Sequence, residues 1–102
     1  MIRHIVLTRF VFVFIESSIS EIYSGLAAVA DRLPGASGFV GGRSDSPEQI
    51  ERGYRHAFSI DFESWDALRD YADDPEHRAL GAQLVANAID GRDGLLVVDL
   101  DV

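Results

Sequence analysis

Tyr71 and His77 are separated by Ala72-Asp73-Asp74-Pro75-Glu76. A phenol and an imidazole form a pair that handles protons near neutral pH. Histidine titrates at about 6.5 when unperturbed, and tyrosine donates a hydrogen bond while keeping its proton. Facing one space, the histidine can take a proton from a carbon next to a carbonyl while the tyrosine donates to the enolate oxygen. That chemistry serves an intramolecular aldol or Claisen-type closure, or an isomerisation, and needs neither metal nor cofactor. In an unbroken helix, residues at this spacing lie about 120° out of step and face different ways.

Pro75 removes that obstacle. Asp74 is a good N-cap, and Pro75 fits the first helical position, where its missing N–H costs nothing. One helix therefore ends near Tyr71 and another begins with His77 in its first turn. The positive end of the new helix disfavours an imidazolium there, while Asp73, Asp74 and Glu76 favour one; solvent exposure decides the balance. A bend at Pro75 can turn both rings toward one hollow over a sheet. The expected site has His77 and Tyr71 as the reacting pair. His4 and His56 join them from strands, and Val6, Tyr23, Leu26, Phe58 and Leu80 form substrate-lining walls.

Each residue also has a plainer reading. His77 suits a capping or surface histidine beside acids, or a contact with a partner. Tyr71 suits a core-edge aromatic with a wet hydroxyl. His4 and His56 suit satisfied polar positions on strands. No His-x-x-x-His spacing exists, and the cluster Asp70, Asp73, Asp74 and Glu76 reads as caps and a solvated face, so no metal site is expected. Ser17 and Ser18 read as caps rather than nucleophiles, and no Ser-His-Asp arrangement is present. Gly41-Gly42 and Gly91 to Gly94 read as turns. Without a GxGxxG or P-loop pattern, nucleotide cofactors find no support.

The elements that must carry these side chains follow from periodicity. Residues 2 to about 15 are rich in β-branched and aromatic types, which predicts a strand apolar on both faces. His4, Val6, Thr8, Phe10 and Phe12 share one of those faces. Ser18 to Glu21 fits a capping box for a first helix, whose stripe is Ile19, Ile22, Tyr23, Leu26, Val29, Ala30 and Leu33, ended by Pro34-Gly35. A short strand near 37–43 follows, then a polar loop in which residues 46–49 fit one helical turn. Tyr54, His56, Phe58, Ile60 and Phe62 alternate on the next strand. Ser64 opens a second helix with Trp65, Leu68 and Ala72 as its stripe. After the break, Leu80, Leu84, Val85, Ala88 and Ile89 face inward, Asp90-Gly91 closes the segment, and 95–102 forms the last strand.

The order β-α-β-β-α-β is the split, ferredoxin-like arrangement: an α+β fold with an antiparallel four-stranded sheet. The 102 residues suffice for a single domain over 1–102. Helices cover one sheet face. The other carries Ile, Leu and Val from the first and last strands, and so large an apolar patch predicts a homodimer joined sheet to sheet. The hydrophobic fraction of 47% in so short a chain agrees with a core completed by a second subunit. A net charge of −8 argues against nucleic acid and against an anionic membrane surface. The apolar start is too short to span a bilayer, lacks a small-residue cleavage site and reads as a strand. The absence of cysteine fits a cytoplasmic protein.

The runs RHIVLTRF, GGRSDSPEQIERGYRHAFSIDFES, DYADDPEHRALG and LLVVDLDV together resemble the stress-responsive A/B barrel (Dabb) family over nearly the whole chain. GYRHAFSIDFES and the Tyr-to-His segment with its proline are the most specific parts. The resemblance implies a ferredoxin-like dimer whose two sheets form an α+β barrel. The family includes bacterial proteins of unknown role, plant stress proteins that form larger oligomers, and a plant polyketide cyclase. In the cyclase branch the Tyr and His flanking the proline are catalytic, which matches Tyr71 and His77; its further histidines match His4 and His56. Two departures stand out. Val11 to Ile15 is apolar where the family has a short polar connection, and Ala88 replaces a bulky aromatic of the cyclase branch.

Family membership predicts fold better than activity. One expectation is a small-molecule-binding dimer performing cofactor-free His/Tyr proton transfer on a keto compound, as in the cyclase. A second is a non-catalytic dimer with a stress-related structural or ligand-binding role. A third, a cofactor-free oxygenase, comes from related α+β barrel dimers. A pocket reached by both Tyr71 and His77 favours the first; filling of that space by Leu80, Phe58 and Tyr23 favours the second.

Overall fold

The computed structural model describes residues 1–102. Four strands, β1 (Ile2–Thr8), β2 (Ala36–Arg43), β3 (His56–Phe62) and β4 (Leu95–Asp101), form one antiparallel sheet in the order β2-β3-β1-β4. Helix α1 (Glu16–Arg32) connects β1 to β2. Helices α2 (Trp65–Asp73) and α3 (Pro75–Ala86), then a 3₁₀ turn (Gly91–Gly94), connect β3 to β4. This is the expected α+β, ferredoxin-like order with its second helix in two pieces. No helix is long and apolar enough to cross a membrane.

Strand alternation sorts the sheet into two faces. On β3, His56, Phe58, Ile60 and Phe62 point under the helices and are buried. Ile2, Val6 and Thr8 of β1 join them, and Ile19, Ile22, Tyr23, Leu26, Val29 and Ala30 of α1 close over the top. The opposite face carries Ile5 and Leu7 from β1 and, on β4, the exposed Leu96, Val98 and Leu100. The core is therefore one-sided, and an apolar sheet surface is left uncovered.

The first strand is shorter than its composition implies. Register pairs Thr8 with both His56 and Leu95, so the two neighbouring strands run out together at that residue. Beyond it the chain pairs with the segment after α3: Arg9 N–H donates to Gly94 O (2.8 Å), Ile89 N–H to Arg9 O (2.7 Å) and Val11 N–H to Asn87 O (2.8 Å). A turn follows, closed by Phe14 N–H to Val11 O, and it leaves Phe12, Val13 and Ile15 exposed. Phe12 thus lies on no sheet face.

The start of α1 also departs from the capping-box reading. The helix begins two residues earlier than Ser18, with Ile15 at the N-cap and no side-chain cap. Glu16 in the first turn accepts from His56 Nε2 at 2.8 and 3.0 Å and pairs with Arg43 at 3.6 Å. A carboxylate at the positive helix end, held by two outside partners, replaces the local cap. Residues 46–49 form a turn at Pro47-Glu48, not a helical turn. On α2 the inward stripe is Ala67, Leu68 and Tyr71, while Trp65 and Ala72 are exposed. Past the end of α3, Ala88 is buried beside Phe10 but Ile89 is exposed.

Two glycines are dictated by the backbone. Gly35 ends the turn after α1 at φ 82°, which side chains rarely adopt. Gly94 is buried where β4 begins, and a Cβ there would lie 2.2 Å from Ile89 O. Gly94→Ala is therefore expected to lower stability by about 1–3 kcal/mol, the usual range for overpacking. Urea unfolding monitored by circular dichroism will show an unchanged midpoint if that backbone approach is not obligatory.

Candidate active site

The helix break is built by one aspartate. Asp74 has φ −63° and ψ 131°, the extended conformation a residue before proline prefers. Its carboxylate accepts from the backbone N–H of Glu76 and of His77, both at 3.1 Å, capping α3 as the sequence predicts. The same carboxylate takes Arg32 Nη2 at 2.9 and 2.8 Å from the last turn of α1. That hydrogen bond, first among several causes, holds the Asp74 carboxyl below the ordinary aspartate range.

The break leaves the Ala72 carbonyl short of a helical donor. Pro75 has no N–H, and Glu76 N–H is given to Asp74. His77 Nδ1 supplies the bond, at 3.2 Å. A carbonyl only accepts, so Nδ1 carries the proton and the neutral ring keeps its lone pair on Nε2. Burial, the largest influence, pushes the His77 pKa below 6.5; His4 and Arg78 act the same way, and the Ala72 carbonyl and Asp74 oppose. The balance left open by the sequence therefore falls to the neutral imidazole.

Tyr71 stacks obliquely on His77 with ring centroids 4.1 Å apart and packs on Phe62 at 5.1 Å. It is only 1% exposed, and its hydroxyl has no hydrogen-bond partner in the protein. Burial, with Asp74 second, pushes the phenol pKa up, so Tyr71 remains a donor. His4 reaches the group from β1, its ring 5.9 Å from that of Tyr71. Its Nδ1 lies 2.6 Å from the carboxylate of Asp99, its cross-strand neighbour on β4.

These three side chains border one cavity of about 960 Å³ between α3 and the β1–β4 edge. Val6, Leu26 and Phe58 line it as expected, joined by Leu84, Leu95 and Val97. His56, Tyr23 and Leu80 do not. Phe58 stands between, with Tyr23 at 5.3 Å on one side and His4 at 6.4 Å on the other. His56 and Tyr23 border a separate hollow of about 320 Å³ beside Glu16. Leu80 instead packs onto α1 at Gly25, where even a Cβ would come within 3.0 Å of it. The sequence reading also missed Asp99, Arg78 and Arg92. For Asp99 a signal exists: in LLVVDLDV it shares the helix-facing register with Leu95 and Val97. No group of three or more histidine and carboxylate side chains is placed to hold a metal ion.

A one-sided antiparallel sheet, a helix broken at proline and a Tyr–His-bordered cavity define a ferredoxin-like α+β domain. The chain belongs to the stress responsive A/B barrel domain (Dabb) family, whose sequence model matches residues 2–102. It is 26% identical over 98 residues to the stress-response A/B barrel domain-containing protein HS1 of Arabidopsis thaliana, covering 96% of this chain and 86% of that protein. A dimeric ferredoxin-like protein of unknown function from Jannaschia sp. CCS1 superposes with a TM-score of 0.92 at 35% identity, covering 99% of this chain and 98% of the other. The hydroxynitrile lyase of Passiflora edulis shares the fold, with a TM-score of 0.83 at 17% identity over 99% and 92% of the two chains.

The His77 environment makes a direct prediction. Its imidazole should titrate below 6.5, with Nδ1 protonated in the neutral form. Proton–nitrogen correlation NMR across pH 4–8 measures both, and a midpoint at or above about 6.5 contradicts the burial argument.

Proposed function

We propose that this chain is a homodimeric, small-molecule-binding domain that performs cofactor-independent proton transfer on a keto compound. The observation that carries the reading is the buried Tyr71 hydroxyl, without a protein partner, packed on a neutral imidazole at the wall of an apolar cavity. Leaving a buried hydroxyl unpaired costs about 1–3 kcal/mol. The hydroxyl is closed off in this structure, so the side chains around it must shift to admit a carbonyl oxygen; that contact would remove the cost, and more fully as the oxygen became an enolate. His77 Nε2 supplies the base; its depressed pKa keeps it unprotonated at neutral pH. Asp99 fixes the His4 ring opposite, where it serves to hold substrate.

Deprotonation of the carbon next to the carbonyl would yield an enolate held by Tyr71 O–H. Collapse of that enolate onto a second carbonyl would close a ring; reprotonation at another carbon would isomerise. The resemblance to the polyketide-cyclase branch agrees with this chemistry at Tyr71 and His77. The competing reading is a non-catalytic dimer of stress-related structural or ligand-binding role, in which the bond from His77 to Ala72 O serves only to complete the helix break.

Deuterium exchange at the carbon next to the carbonyl, followed by proton NMR over a panel of aryl and alkyl diketones, separates the two. The expected outcome is acceleration by the wild type and a loss of about 10²–10⁴-fold in His77→Ala with the fold retained. Tyr71→Phe should exchange slowly yet be at least as stable as the wild type, because it removes an unsatisfied buried hydroxyl. Exchange as fast in His77→Ala as in the wild type would exclude the catalytic reading.

The dimer rests on the uncovered Leu96, Val98 and Leu100, next to Ile5 and Leu7, and on the dimeric relatives of the same fold. Light scattering should give twice the chain mass, and Val98→Asp, which sets a charge in the middle of that face, should give monomers. A wild-type monomer at micromolar concentration rules the arrangement out.

A further inference from the structure

The charge of the cavity is opposite to that of the chain. Acidic residues number 17 against nine basic ones, all arginine, for a net charge of −8. Yet no aspartate or glutamate is among the 17 residues lining the cavity, whereas Arg78 and Arg92 are, beside the neutral His77 and a His4 held by Asp99. Arg3, Arg9, Arg32, Arg43 and Arg69 each hold a carboxylate within 4.0 Å. Arg78 and Arg92 hold none, and both are exposed. The other two without one, Arg52 and Arg55, precede β3 and lie off this cavity.

Position makes the two guanidinium groups informative. Arg78 follows His77 on α3, and Arg92 stands on the 3₁₀ turn that leads into β4. They reach the cavity from the two elements that flank it, whereas 12 of its 17 lining residues are hydrophobic. Arginine matches a carboxylate in shape and forms strong, paired, charge-assisted hydrogen bonds. Within about a Debye length a cationic rim attracts an anion and repels a cation, and there it opposes the net negative charge of the chain.

We infer that the ligand is an apolar carboxylate, a keto acid in the reacting case, with its chain in the cavity and its acid group held at the rim by Arg78 and Arg92. The inference rests on the cavity being the ligand site, as in the reading above. It names the substrate class: an aliphatic or aryl acid carrying a ketone far enough from the carboxylate to reach Tyr71 and His77. Binding the acid end at Arg78 sets the adjacent base against the body of the same molecule.

The test is calorimetric titration of the whole protein with octanoate and with octanamide, which match in shape and differ in charge. Wild type should bind octanoate about tenfold more tightly than octanamide, the gap narrowing as salt is raised. Arg78→Gln with Arg92→Gln should abolish that preference while leaving octanamide affinity unchanged. If octanamide binds wild type as tightly as octanoate, or if the double variant keeps the preference, the carboxylate assignment is overturned and the cavity reading survives. If neither compound binds, both readings fall together.

Discussion

Asp74 holds three partners at once, and the site exists because of it. Its carboxylate caps α3 through two backbone N–H groups, and Arg32 ties that cap to the end of α1. Pro75 alone would only end α2. A free bend of that kind could adopt many directions, whereas a cap clamped by a guanidinium from a neighbouring helix allows one. Tyr71 and His77 then meet across the bend with ring centroids 4.1 Å apart, which a continuous helix at that spacing does not permit. The orphan carbonyl created by the break becomes the group that selects the His77 tautomer. Helix termination, ring placement and proton position therefore share one cause.

The same bend decides which electrostatic influence governs His77. A helix end is worth about 0.3–1 kcal/mol to an adjacent charge, and nearby exposed acids are screened by water. Burial against Tyr71 and the cavity wall acts in the same direction as the helix end and outweighs the acids, because Asp73 and Glu76 are exposed and Asp74 is engaged with Arg32. Acids that look decisive in the sequence are thus spent on caps and on a cation. His4 shows the converse. It lies among Phe58, Phe62 and Tyr71, and its single polar partner is Asp99 across the strand pair.

Much of this was legible from the residues in order. The α1 stripe, the alternation of β3 and the Asp74-Pro75 cap are local patterns, and each appears where periodicity and capping chemistry place it. What escaped was non-local. Composition cannot show that β1 stops at Thr8 because both of its neighbours stop there. Ser18 to Glu21 reads as a cap until Glu16 is seen to be anchored by His56 from β3. His56 shares a strand face with Phe58, yet Phe58 is large enough to screen it from the cavity. Spacing puts Trp65 in the α2 stripe with Leu68 and Ala72, but it is exposed, and the helix turns Ala67 and Leu68 inward beside Tyr71.

The two faces of the sheet divide the work between them. Of the residues of β1 and β4 that look toward the helices, His4, Val6, Leu95 and Val97 supply the cavity wall, and Asp99 holds the His4 ring from behind it. Those that look away, Ile5, Leu7, Leu96, Val98 and Leu100, supply the apolar surface. Because side chains alternate strictly, a slip of one residue in the β1–β4 register would carry Asp99 to the outer face and a leucine or valine into the pocket. The His4–Asp99 contact and the apolar outer stripe are consequently set by a single register. A second subunit that covered β4 on its outer face would hold that register from the far side, so that pairing of two chains and orientation of His4 become one structural event.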